Sequence, residues 1–234
     1  MASVLLEVCC GSADDVIQAK LGGADRAELC SDLFHGGLTP TVGSLRVAKR
    51  ETGMPIMAMI RPREGGFCYS EAEFAVCLED GRTLLEAGAD GLVFGFLRED
   101  GRVDEARTRQ LTELARAAGK DAVFHRAIDV VPDWREALDL LAELGVTRVL
   151  TSGQEPDVSQ GTATVREMIR YAAGRIQILP GAGSRCGTRR GSSPKRAPTR
   201  YMWLPTAPSL TVRWRITGLS FTAGASTRRR IGFP

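Results

Sequence analysis

The chain has 234 residues, of which 25% are charged and 43% hydrophobic, and a formal net charge of +3. That length accommodates one barrel-sized domain or two small ones. The sequence has no run of roughly 18 apolar residues, which excludes a helix that spans a membrane. Its N-terminus lacks the basic and apolar regions of a signal peptide, so a cytoplasmic protein is expected.

Taken in chain order, short apolar runs alternate with amphipathic stretches. Strand-like runs fall at 5–9, 27–30, 55–60, 91–95, 121–125, 148–151 and 175–179, with helical patterns at 14–21, 71–86, 104–118, 134–143 and 164–173. The strands are almost continuously apolar, as a parallel sheet covered on both faces requires. Three joints repeat: Gly23-Ala24-Asp25 precedes strand 2, Gly88-Ala89-Asp90 strand 4 and Gly145-Val146-Thr147 strand 6. A glycine there ends a helix in the left-handed conformation. Seven strand–helix units with short joints predict an α/β chain of the (β/α)8 barrel type. A doubly wound open sheet is the alternative, but Cys10-Gly11-Ser12-Ala13 after strand 1 is not a dinucleotide-binding fingerprint. Residues 1–183 hold these seven units, and the eighth strand and helix are missing or scrambled.

Barrel sites lie at the C-terminal ends of the strands. Glu7 and Cys9 close strand 1, Glu28 and Cys30 strand 2, Arg61 strand 3, His125 and Asp129 strand 5, and Gly181 and Gly183 strand 7. Residues two apart on a strand share a face, so strands 1 and 2 each present one carboxylate and one thiol to the same side. If that side is the interior, Glu7, Glu28, Arg61, His125 and Asp129 form one pocket. The competing readings are structural ion pairing of the acids with Arg61 and Arg126, and a satisfied core role for His125. Gly181 and Gly183 offer backbone N–H groups to an anion, or simply turn the chain. The six cysteines show neither a CxxC pair nor zinc-finger spacing.

Together these residues resemble the copper homeostasis protein CutC family. The motifs that carry the resemblance are Leu-Glu-Val-Cys at 6–9, Gly-Gly-Ala-Asp-Arg-Ala-Glu-Leu-Cys at 22–30, Gly-Gly-Leu-Thr-Pro at 36–40 and Ile-Arg-Pro-Arg at 60–63. They continue with Phe-Cys-Tyr-Ser at 67–70, Gly-Leu-Val-Phe-Gly at 91–95, Phe-His-Arg-Ala-Ile-Asp at 124–129, Arg-Val-Leu-Thr-Ser-Gly at 148–153 and Pro-Gly-Ala-Gly at 180–183. The resemblance implies a cytoplasmic barrel whose members associate, with copper held at the strand-end cysteines, here Cys9 and Cys30. Thiolate suits Cu(I) by softness.

Residues 184–234 depart from this pattern. They carry 11 Lys and Arg and no Asp or Glu, leaving 20 basic against 28 acidic residues in the body. A basic tail of this kind suggests nucleic-acid binding or disorder. The codons favour a third explanation. Tyr201-Met202-Trp203 has almost no degeneracy, and regrouping its bases one position earlier permits Val-His-Val-Ala-Ala, a strand of the missing kind. A shift of reading frame at or just after Gly183 is therefore expected, and no nucleic-acid partner. The tail is expected to be largely irregular, with an extended piece such as 201–204 available to the open edge of strand 1 or 7.

Three functions follow as expectations. The first is copper binding at Cys9 and Cys30. The second is a barrel enzyme acting on a small carbonyl or sugar compound, phosphorylated or not. There Glu7 or Glu28 serves as base, His125 as acid/base, and Arg61 and Arg126 as anion clamp. The third is an inactive truncated product.

Overall fold

A computed structural model describes residues 5–182 and the backbone of 211–215. The expectations for Gly183, for the reading frame, and for the remainder of the 184–234 tail lie outside the described residues. Seven strands form in chain order: β1 (Leu5–Cys10), β2 (Arg26–Leu29), β3 (Ile56–Met59), β4 (Gly91–Phe94), β5 (Asp121–Phe124), β6 (Arg148–Thr151) and β7 (Gln177–Pro180). Each pairs in parallel with the next. Between them run α1 (Ala13–Leu21), α2 (Val42–Thr52), α3 (Glu71–Glu86), α4 (Glu105–Ala117), α5 (Trp134–Glu143) and α6 (Thr162–Ala172). The result is a curled parallel sheet wrapped by helices, as the alternation of the sequence predicts.

An eighth strand, β8 (Thr211–Arg215), lies parallel to β1, in register from Leu5 opposite Thr211 to Cys9 opposite Arg215. It comes from the basic tail, ten residues beyond the start of the segment expected at that edge. The physical reason is local: the outer edge of β1 presents unpaired backbone groups, and Thr, Val and Trp favour extended backbone. The hydrogen-bonded order is β7-β6-β5-β4-β3-β2-β1-β8, so among the described residues no ladder joins β8 to β7.

The helices start where their caps dictate. The Ser12 side chain accepts from the Asp15 N–H, and Asp133 accepts from Arg135 and Glu136. Ser70 and Glu73 form a reciprocal capping box at α3. Helix α2, absent from the sequence reading, is capped by Thr41 and buries Leu45 and Ala48. Its apolar stripe is too narrow to stand out among Arg46, Lys49, Arg50 and Glu51.

The three repeated joints act alike. Gly23, Gly88 and Gly145 all have positive φ, at 88°, 101° and 83°, the region glycine enters without penalty. The polar residue that follows ties back to the preceding strand. The Asp25 carboxylate accepts from the Leu6 N–H at 2.7 Å, and Asp90 from the Ile56 N–H at 2.9 Å. The Thr147 hydroxyl donates to the Ala122 carbonyl at 2.7 Å.

Strand alternation produces two apolar cores. The larger, between sheet and helices, takes Val8, Cys10, Leu29, Ile56, Ala58, Leu92, Phe94 and Phe124. The smaller fills the lumen of the sheet with Cys9, Cys30, Met57, Met59, Val93 and Val123, and Leu33 packs against it. Cys9 and Cys10 therefore face opposite sides.

Candidate metal centre in the barrel lumen

The lumen has a charged floor, a sulfur-rich middle and an aromatic mouth. At the floor, Arg26 Nε pairs with Glu7 at 2.5 Å and Arg148 with Asp121 at 2.8 Å. Burial, and then the neighbouring Arg26, hold the Arg148 guanidinium below its ordinary pKa, against the opposing pull of Asp121 and Glu7. Glu7 is thus a counter-ion one level below the thiols, and the structure does not bring it to Arg61 or His125. A carboxylate and a guanidinium directly opposite one another on paired strands neutralise each other first.

In the middle, Glu28 sits between two thiols. Sγ of Cys9 donates to Glu28 Oε2 at 3.2 Å, and Sγ of Cys30 to the same oxygen at 3.3 Å. The three ligand atoms lie within 4.8 Å of one another, and all three residues are buried. The backbone explains the arrangement: Cys9 is opposite Glu28 across the β1–β2 ladder, and Cys30 lies two residues further on the same face as Glu28. That offset separates the two cysteine Cα atoms by about 8 Å, from the strand spacing and rise, beyond the span of an unstrained disulfide. The two sulfurs are close enough that one ion could touch both, whereas the Cα separation opposes a direct bond.

At the mouth, Arg61 follows Met57 and Met59 in the inward alternation of strand β3. Its Nη1 donates to the carbonyls of His35 and Gly37 at 3.3 Å each, and its Nη2 to Gly65 at 2.8 Å. It staples two loops together. His125 lies on the far side of the mouth, buried, with Nδ1 accepting from the Ala127 N–H at 3.1 Å. That bond leaves the proton of a neutral ring on Nε2. The Phe67 ring stands between the two, 5.3 Å from the Arg61 guanidinium and 4.8 Å from the imidazole.

Asp129 stands apart from all of these. Its carboxylate accepts from Arg126 Nε, the Thr151 hydroxyl, the Ser152 N–H and hydroxyl, and the Gln154 N–H. So many donors make it the anchor of the loops after β5 and β6. The single pocket expected for Glu7, Glu28, Arg61, His125 and Asp129 is thereby divided into a floor, a thiol layer, a mouth and a loop anchor. The Gly181 N–H donates to the Thr151 carbonyl at 2.9 Å, so it is committed to the sheet and not to an anion. Sequence reasoning overlooked Met57, Met59 and Phe67. The first two were detectable, because they occupy on strand 3 the alternating places that Glu28 and Cys30 hold on strand 2.

Among the described residues no helix is long and apolar enough to cross a membrane. Comparison with known proteins agrees with the fold. A family protein CutC of Treponema denticola is 51% identical over 183 residues, covering 78% of this chain and 74% of that one. The human copper homeostasis protein cutC homolog is 45% identical over 179 residues, which is 76% of this chain and 65% of the human one. A crystal structure of CutC from Streptococcus agalactiae superposes with a TM-score of 0.72 at 32% identity, covering 77% of this chain and 89% of that one. The CutC family profile matches residues 4–190, a stretch that holds the paired strands β1 to β7 and every residue of the thiol layer. The chain belongs to the CutC family.

Proposed function

We propose that this protein binds cuprous ion in its barrel lumen through Cys9 and Cys30, as a copper-handling protein of the cytoplasm. The observation that carries the reading is the pair of buried thiols donating to one oxygen of Glu28. The donor chemistry fits: two thiolates in an apolar chamber suit a soft monovalent cation better than a hard one, which asks for more oxygen ligands. Only thiolates bind, so two protons must leave. Glu28 is the immediate acceptor for one, and the other passes to solvent. With Glu28 protonated, two thiolates and one cuprous ion leave a single negative charge in the lumen, above the Arg26 and Arg148 guanidinium groups of the floor. A reducing compartment keeps both thiols available.

The test is anaerobic titration with Cu(I) in competition with a chromophoric chelator. The native chain should take one equivalent, and a Cys9→Ser, Cys30→Ser double variant none. Unchanged uptake by the double variant removes this reading.

The second reading, a barrel enzyme acting on a small anionic carbonyl or sugar compound, has one observation in its favour. Arg61 Nε is buried at the mouth without a hydrogen-bond partner among the described residues. In this reading Glu28 is the base, His125 the acid and Arg61 the anion contact. It is the weaker of the two, because both Nη atoms of Arg61 already donate to backbone carbonyls. Protection of the native fold by inorganic phosphate, lost in Arg61→Lys, would favour it.

A further inference from the structure

We infer that Met59 supplies a third sulfur to the lumen centre and so sets its preference for Cu(I) over divalent ions. The inference rests on the thiol reading proposed above and adds a residue to it. The β2–β3 ladder pairs Glu28 with Met57 and Leu29 with Ala58. The next step of that register places Met59 beside Cys30, on the same face and at the same level. Both residues belong to the lumen cluster, together with Cys9, and Met59 is buried.

The lumen holds a second thioether, and its surroundings distinguish the two. Met57 lies one level down, where its sulfur accepts from Arg148 Nη2 at 3.1 Å. A Cβ at Gly91 would meet that sulfur at 2.6 Å, so the glycine makes the space in which Met57 is held. A sulfur facing a guanidinium has its lone pair engaged and stands beside a positive charge, which opposes a cation. Among the described residues no hydrogen bond engages the Met59 sulfur, and the residue packs in one cluster with Cys9, Cys30, Met57, Val93 and Val123. Two thiolates and a neutral thioether make a three-sulfur set without further charge. A thioether is a soft ligand that adds to the binding of Cu(I) and contributes little to Zn(II).

The test uses the full chain and four variants: Met59→Leu, Met57→Leu, Cys9→Ser and Cys30→Ser. Affinity for Cu(I) is measured by chelator competition, Zn(II) by a separate competition, and the number of copper–sulfur contacts by X-ray absorption. Met59→Leu should weaken Cu(I) about tenfold, leave Zn(II) unchanged and reduce the sulfur shell from three to two. Met57→Leu, an equal apolar exchange one level down, should change none of these, which controls for repacking. Unchanged Cu(I) affinity and sulfur count in Met59→Leu, with binding lost in the cysteine variants, overturns the role of Met59 and leaves the thiol site standing. Retention of copper by the cysteine variants overturns both. Equal losses in Met57→Leu and Met59→Leu identify a packing effect and also overturn it.

Discussion

The imidazole of His125 occupies the space that a side chain at position 95 would need. A Cβ built on Gly95 would stand 2.5 Å from Nδ1 of His125, so the glycine just after β4 is what lets the histidine lie across the mouth. Gly95→Ala should therefore displace the ring or strain the strand, at about 1–3 kcal/mol as overpacking of a close-fitted site. In a His125→Ala background the same substitution should cost less than half as much. A thermal-denaturation cycle over the four proteins reads the coupling, and additive losses would show that the two residues do not compete for space.

The thiols should separate by environment. Cys68 is exposed, whereas burial, followed by Asp80 and Glu73, pushes the Cys77 thiol up to about 12. Ellman's reagent near neutral pH should modify Cys68 promptly and leave Cys77 untouched until the fold opens. Mass spectrometry of the labelled native protein assigns the sites; early modification at Cys77 would contradict its placement in the core.

Replacing Glu28 should change the proton balance of the thiol layer more than its fold. Glu28→Gln keeps an oxygen that accepts from a thiol but has no site for a proton. Uptake of Cu(I) should then release two protons to solvent instead of one and reach half-saturation at a higher pH. A pH-indicator assay in weak buffer measures the release directly. Identical release from the native chain and the variant would remove Glu28 as the acceptor.

Asp90 should make stability pH-dependent on the acid side. Burial alone would raise its pKa, but the hydrogen bond from Lys49, the Ile56 N–H, and the charges of Lys49 and Lys120 lower it below the usual carboxylate value. A carboxyl group depressed in the folded state contributes stability above its unfolded pKa and loses it as the pH falls through the lower folded value. Asp90→Asn should thus cost roughly 1–2 kcal/mol near neutrality, as for a hydrogen bond to a charged group, and little at strongly acid pH. Urea melts across the acid range test this; a constant penalty would mean that shape rather than charge is lost.

Phe67 stands between Arg61 and His125 at the mouth, a position that predicts it screens the sulfurs from solvent. Phe67→Ala should accelerate both thiol labelling at Cys9 and Cys30 and the uptake of Cu(I), with the final stoichiometry unchanged. Stopped-flow mixing gives the rates, and equal rates in the two proteins would place the entrance elsewhere.

The barrel was legible because its signals are local. Buried strands read as apolar runs, and Gly23, Gly88 and Gly145 marked helix ends that all proved left-handed. The Glu–Cys alternation in β1 and β2 likewise indicated that Cys9 and Cys30 share the lumen face. What escaped was partnership, since spacing along a strand fixes a face but not which neighbour on that face engages first. Glu7 shares the face of Cys9 yet is claimed by Arg26, and Asp129 follows a strand end yet is surrounded by donors from the next loop. The tail pairs with β1 by its backbone over Thr211–Arg215, and backbone pairing leaves little trace in sequence pattern.

The clasps at Asp25, Asp90 and Thr147 have a consequence for the order in which the chain assembles. Each joins the start of an even strand to the odd strand before it, across separations of 19, 34 and 25 residues. Such short loops cost little entropy to close. The sheet can therefore be laid down as hairpin-sized quarters, β1 with β2, β3 with β4 and β5 with β6, each fastened as it leaves the ribosome. Assembly in that order would complete three quarters of the barrel before the final stretch of chain is synthesised, with the thiol layer built almost entirely from the first.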